Sequence, residues 1–429
     1  MLNKPENPQL TPIEPEVLTQ IVGRVLRISD ITLGDDRRAH YLVRYRGQLY
    51  GEADQAYDQL AANLRPYDIT PLFRPTADEV QERKNSAIAP TRSSSQNDPH
   101  TILLLRGVIR PQPSNAWINL LLFLLTLVSM IFTGALFAYD GPPLNSREAL
   151  ISGVLSSLGP GLAFATSLLA ILLAHEFGHY LAARYHKTAV TLPYFLPFPF
   201  SAFGTMGAFI RLKEPPRNKR ILLDIGIAGP LAGLVVAIPV LLLGLALSQI
   251  SPIEMNPGEG FTLEGNSLIY LASKYVVFGQ LLPAPASYDG LNPVLYWIRY
   301  FFTGQPLPLG GLDVMIHPVA WAGWAGLLVT ALNLIPAGQL DGGHVLYVLT
   351  GKRARLLWPV VLAALIGLGF VWNGWWLWAG IIFFLGRVYA EPLDGITTLD
   401  PGRRLVALLG IVVFILVFTP VPLITILGG

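Results

Sequence analysis

From Asn115 onward the chain is a succession of apolar stretches separated by short polar loops. A bilayer's hydrocarbon core takes about 20 helical residues to cross, and inside lipid every backbone polar group needs a partner within its own segment or barrel. That restricts most of this chain to helices. The pattern predicts spans near 116–138, 161–184, 222–248, 316–335, 355–371, 375–390 and 404–427. Composition agrees: 52% of residues are hydrophobic and 14% charged, against about 25% charged in soluble domains. A net charge of +2 makes no case for nucleic acid. The absence of cysteine excludes disulfides, thiolate metal ligands and a thiol nucleophile.

Residues 1–110 read as a separate soluble domain. Ile21 to Ile28 and Tyr41 to Tyr50 alternate imperfectly like strands, and Glu52 to Leu64 has helical spacing, with Ala56, Leu60 and Leu64 on one face. Ile69 to Phe73 and Thr101 to Leu105 add short strands, and the Ser/Pro/Asn-rich stretch near 84–100 reads as a disordered linker. The expected fold is a polytopic α-helical membrane protein of about seven transmembrane helices over 111–429, preceded by this small α+β domain. Five tryptophans between Trp358 and Trp378 read as interfacial anchors.

Loop charges set the orientation. The loop after the second span carries Lys187, Arg211, Lys213, Arg217, Lys219 and Arg220 against Glu214, and the loop after the fourth carries Lys352, Arg353 and Arg355. The segment 250–315 is acidic on balance. Positive loops stay cytoplasmic, which puts the N-terminal domain in the cytoplasm and the C-terminus outside.

The second span carries His175-Glu176-Phe177-Gly178-His179 behind the uncharged run Ala163 to Ala174. Ionisable groups at membrane depth are costly and mark a functional site by default. Residues four apart share a helix face, so both imidazoles can address one ion. Glu176, on the adjacent position, suits the polarisation of a water bound to that ion. The spacing is that of zinc metallopeptidases. The competing reading is a pair of buried histidines bonded to neighbouring helices, which leaves Glu176 still needing a partner.

Catalytic zinc usually takes three protein ligands and keeps one position for water. Asp341 is the candidate third ligand, following the Pro336/Gly338 break at the end of the fourth span. Irregular backbone at that depth is tolerated where it lines a cavity. His175 lies about 14 residues, roughly 21 Å, along an inward-running helix, and the fourth span also runs inward. Both halves of the site thus fall on the cytoplasmic side. His344, one turn past Asp341, is the alternative ligand. His186 and His317 read as surface or interfacial residues, and His40 and His100 as ordinary members of the soluble domain.

Thr191 to Phe200 is apolar but holds Pro193, Pro197 and Pro199, so it is no straight helix. With Phe203 to Ile210 it is expected to form a re-entrant β-hairpin whose open edge pairs with an extended substrate. Gly229 to Gly233 (GPLAG) read as close helix packing.

The ordered set HEFGH, FGTMGAFI, GPLAG and NLIPAGQLDGGH, over about 160–350, resembles the site-2 protease family of intramembrane zinc metalloproteases. The long polar N-terminal region resembles that of its cyanobacterial and chloroplast-type branch. The resemblance implies Zn2+ held by His175, His179 and Asp341, Glu176 as general base, and Asn333 positioning substrate or stabilising the oxyanion. It implies hydrolysis within or next to transmembrane segments of substrate proteins, as in regulated intramembrane proteolysis. The partners implied are those substrates and membrane lipid, with no nucleic acid, in a bacterial plasma membrane or thylakoid membrane. A metal-binding transporter and a catalytically silent scaffold of the same fold are the rival readings.

Overall fold

The structure, a computed structural model, describes residues 14–34, 41–76, 99–253, 261–288 and 290–426. His40 and the expected linker up to residue 98 lie outside the described residues. The chain divides into two compact units.

The first unit holds Met1–Gln112 together with Glu214–Leu222 and Glu391–Asp400. Helix α1 (Pro15–Gly23) leads into strand β1 (Leu26–Leu33), then β2 (Val43–Leu49), α2 (Ala53–Leu64), β3 (Ile69–Pro75) and β4 (His100–Arg106). The four strands form one antiparallel sheet in the order β1-β2-β4-β3. The strand expected over Ile21 to Ile28 begins only at Leu26, because Pro15 starts a helix that runs to Gly23. Pro at the first helical turn gives up an amide that would be unpaired there anyway. Leu18, Val22, Leu26, Tyr45, Leu60, Leu64, Phe73 and Ile102 are buried together as the core. Each such side chain contributes about 1.5–3 kcal/mol.

β3 is an edge strand, and an open edge invites unwanted pairing. Here the edge is covered from far along the chain. Phe73 N–H donates to Leu393 O at 3.0 Å, and Gly395 N–H donates to Phe73 O at 2.9 Å. Leu393 and Asp394 in turn donate to Pro216 O and Arg217 O at 3.0 and 2.7 Å. Asp394 is fully buried and accepts from the amides of Ile396 and Thr397 at 2.8 and 3.1 Å, and from the Thr397 hydroxyl. Arg217 pairs with Asp58 at 2.7 Å and Arg220 with Asp54 at 3.5 Å.

The second unit is helical. Among the described residues three helices are long and apolar enough to cross a membrane: α3 (Ala116–Phe137), α5 (Leu158–Tyr185) and α6 (Lys219–Ala246); the short α4 (Arg147–Ser156) precedes α5. Leu121, Leu124, Leu125 and Val128 of α3 are exposed, a face suited to lipid. Its buried polar stripe faces the chain that follows α5. Asn119 donates to Leu192 O and Pro193 O at 3.0 and 2.8 Å, and Ser129 to Gly204 O at 2.6 Å. These bonds hold the antiparallel hairpin of β5 (Tyr194–Pro197) and β6 (Thr205–Phe209), in which Tyr194 faces Phe209 and Phe195 faces Ala208.

Beyond α6, β7 (Gln249–Pro252), β8 (Phe261–Glu264), α7 (Leu268–Phe278), α8 (Pro293–Thr303) and β9 (Leu312–Met315) form a folded connection. Lys274 is wholly buried there between Asp313 at 3.3 Å and Glu264 at 3.5 Å. The remaining helices fall short of the expected spans. α9 (Pro318–Asn333), α11 (Ala354–Gly369), α12 (Gly374–Leu385) and α13 (Pro401–Val417) have 16, 16, 12 and 17 residues, while α10 (Asp341–Thr350) follows the break after α9. The span expected over 404–427 stops at Val417, since Pro420 and Pro422 lack the amides a helix needs. Strand β10 (Leu423–Ile426) then pairs with β8. Trp375 is not an interfacial anchor: it is 1% exposed and its indole donates to Pro420 O at 2.6 Å.

Replacing Asp394 by Ala orphans the half-buried amide of Ile396 and the buried amide and hydroxyl of Thr397. Amide exchange at Phe73 and Gly395 should then accelerate at least about tenfold, given the cost of unpaired buried donors. Unchanged protection in hydrogen–deuterium exchange would contradict this account of the covered edge.

Candidate metal centre

α5 places His175, Glu176 and His179 on adjoining positions of one buried turn, at 3%, 5% and 6% exposure. The four-residue spacing turns both rings the same way, and their Nε2 atoms stand 3.2 Å apart. His179 Nδ1 donates to the carbonyl of Ile225 on α6 at 2.7 Å. In the neutral ring that leaves the Nε2 lone pair free to face the site. The Asn333 amide donates to His175 Nε2 at 3.3 Å, so this nitrogen too presents a lone pair.

Asp341 arrives from the far side. Asn333 ends α9, Leu334 to Leu340 form an irregular loop, and Asp341 opens α10, where free amides at a helix start favour a carboxylate. The loop returns closely on that start. A Cβ on Gly342 would run into the Leu334 carbonyl oxygen, so only glycine allows the approach. Asp341 Oδ2 thereby reaches 3.3 Å from both His175 Nε2 and His179 Nε2.

Three lone-pair atoms so close together repel unless a cation lies between them. A tetrahedral zinc with bonds of about 2.0–2.1 Å sets its ligand atoms roughly 3.3–3.4 Å apart. The observed 3.2, 3.3 and 3.3 Å fit that ion, and two imidazoles with one carboxylate fit its chemistry. Among the described residues these three form the group able to hold a metal. His344 lines the same cavity but stands outside the group, its Nδ1 buried and without a hydrogen-bond partner.

The cavity measures about 200 Å³ and is lined on one side by Glu176 and on another by Ala208, Phe209 and Ile210. The Ile210 amide donates to the Glu176 carboxylate, tying the end of the hairpin to the prospective base. The arrangement can therefore hold an ion, a water beside Glu176, and an extended chain along β6.

The other histidines lie apart from this group. His317 caps α9, accepting from the Val319 amide at 3.3 Å. His100 accepts from the Leu49 amide within the first unit, and burial holds its pKa below the usual value. His186 is not a free surface residue, since it pairs with Asp224 at 2.9 Å. Two contributors escape a reading of the sequence. The Ile225 carbonyl is a backbone atom and leaves no side-chain signal. Gly229, whose motif reads as packing, lies against the metal site itself: a Cβ there would collide with His179 Nε2.

A family model described as Peptidase family M50 matches residues 163–371. The protein named "Probable zinc metalloprotease EGY1, chloroplastic" from Oryza sativa subsp. japonica is 29% identical over 408 residues, 89% of this chain and 62% of that relative. The Arabidopsis thaliana protein of that name is 29% identical over 335 residues, covering 75% and 56%. "Probable zinc metalloprotease EGY2, chloroplastic" from Oryza sativa subsp. indica is 27% identical over 358 residues, covering 82% and 56%. The chain spans less than two thirds of the length of these relatives. No solved structure matches.

Gly229→Ala should displace the His179 ring and weaken zinc binding at least about tenfold. Gly367→Ala, where a Cβ meets nothing within 4 Å, is the control. Equal zinc affinity in the two variants, measured by chelator competition, would show that the crowding is relieved without cost to the site.

Proposed function

We propose, from the match of residues 163–371 to the model of Peptidase family M50, that this chain is an intramembrane zinc metalloprotease of the site-2 protease type. Its reaction is hydrolysis of peptide bonds within or next to transmembrane segments of other membrane proteins. The observation that carries this reading is the convergence of His175, His179 and Asp341 beside the buried carboxylate of Glu176.

His175, His179 and Asp341 would hold a zinc ion, which would supply a Lewis acid to polarise a carbonyl and bring the pKa of water down to about 7. Glu176 takes the proton of the attacking water and passes it to the leaving amine. The hydrogen bond from the Ile210 amide keeps that carboxylate aimed into the cavity. Asn333, which lines the cavity beside His175, would donate its amide to the developing oxyanion. A substrate helix hides its carbonyls in its own hydrogen bonds and must unwind locally to react. β6, whose end residues line the cavity, offers an edge along which the unwound strand pairs.

Seven spans with the N-terminal domain in the cytoplasm remain our reading of the topology. It is supported by the segments that share one compact unit, since Glu214–Leu222 and Glu391–Asp400 would both be cytoplasmic connections. The pairing of β8 with β10 fits an outer location for both. Short helices cross with local bilayer thinning and irregular ends. The membrane would be a bacterial plasma membrane or a thylakoid, in keeping with relatives whose names carry the word chloroplastic.

Glu176→Gln should keep zinc and lose cleavage by about 10²–10⁴-fold, the usual worth of a general base. Comparing membrane proteins of cells carrying either form should reveal substrates uncut only in the variant. Sustained cleavage by the Glu176→Gln protein would exclude the mechanism, and metal flux indifferent to this change would favour a transporter. Asp341→Ala should lose bound zinc while His344→Ala keeps it. The reverse pattern, read by metal analysis of purified protein, would make His344 the ligand.

A further inference from the structure

The carbonyl that orients His179 belongs to Ile225, and the residue before it is clamped. Asp224 accepts from Arg403 three times, Nε to Oδ1 at 2.9 Å and to Oδ2 at 3.1 Å, and Nη2 to Oδ2 at 2.6 Å. His186 Nε2 stands 2.9 Å from the same Oδ2. Three helices thus meet on one carboxylate: His186 is the C-cap of α5, Asp224 lies in the second turn of α6, and Arg403 in the first turn of α13. None of the three residues lines the cavity.

We propose that Asp224 is a positioning residue for the metal centre. Clamped by Arg403 and His186, it fixes the turn of α6 that carries the Ile225 carbonyl, so that this carbonyl holds the His179 ring at the angle the metal needs. The proposal rests on the zinc reading given above. A metal-binding histidine is oriented by the partner of its other ring nitrogen, and loosening such a partner typically costs 10–100-fold in affinity. Asp224 acts one residue further out, so about tenfold is expected. A bidentate Arg–carboxylate pair fixes direction as well as distance, which a lysine does not reproduce.

The test is the zinc dissociation constant of full-length protein in detergent, by chelator competition, beside the melting temperature of the metal-free form. D224N and R403A should each raise the zinc Kd about tenfold, R403K should fall between them and wild type, and the double variant should be no worse than either single one. G367A, where a Cβ meets nothing within 4 Å, is the control and should leave the Kd unchanged. If D224N and R403A lower the metal-free melting temperature but bind zinc like wild type, the clamp only packs helices and the proposal is overturned. Additive losses in the double variant would overturn it too, by showing that the two residues act separately. Failure of wild-type protein to bind zinc would instead refute the metal reading itself.

Discussion

Three acceptor atoms held 3.2–3.3 Å apart in a buried place are an unfavourable arrangement without a cation. The rest of the helical unit is what holds them there. α5 brings two of them on one turn, α6 fixes one ring through a carbonyl, and α10 brings the carboxylate on a helix start. Close approach is achieved by leaving out side chains where helix meets ring and where loop meets helix, at Gly229 and Gly342. This donor set is the one on which the proposed zinc site rests.

The polar face of the site is built as carefully as the metal face. Glu176 is buried but receives the Ile210 amide, so the end of the hairpin also holds the carboxylate proposed as the base. The hairpin in turn hangs from a polar stripe on α3, through Asn119 and Ser129. Hydrogen bonds to backbone carbonyls are well suited to this task in an apolar setting, where an unpaired carbonyl would cost several kcal/mol. The hairpin, Glu176 and the three candidate ligands therefore share a single supported framework.

Much of this is legible from the residues, and the exceptions have physical causes. HEFGH announces its own geometry because a helix repeats every 3.6 residues and both rings belong to one turn. The antiparallel hairpin is legible because three prolines forbid a helix where composition alone would allow one. The last apolar stretch reads wrongly as a full span because its hydropathy continues past Val417, while Pro420 and Pro422 end the helix and β10 pairs with β8. Trp375 reads wrongly as an anchor because an indole at a helix end looks interfacial even when its N–H has a buried carbonyl, here that of Pro420. Ile21 to Val25 reads wrongly as strand because a short alternating run is ambiguous, and Pro15 decides for helix.

Local pattern thus singles out the candidate residues for the chemistry, since residue type and helical spacing are properties of contiguous chain. It also settles that most of the molecule is helical, because a long apolar backbone has no other way to satisfy its own hydrogen bonds. What only the folded chain decides are the meetings between segments far apart in sequence. The Ile225 carbonyl behind His179, the Arg403 and His186 grip on Asp224, and the pairing of 393–395 along β3 leave no mark in any one stretch of residues. They depend on backbone atoms and on particular helix crossings, which are set by the packing of the whole unit.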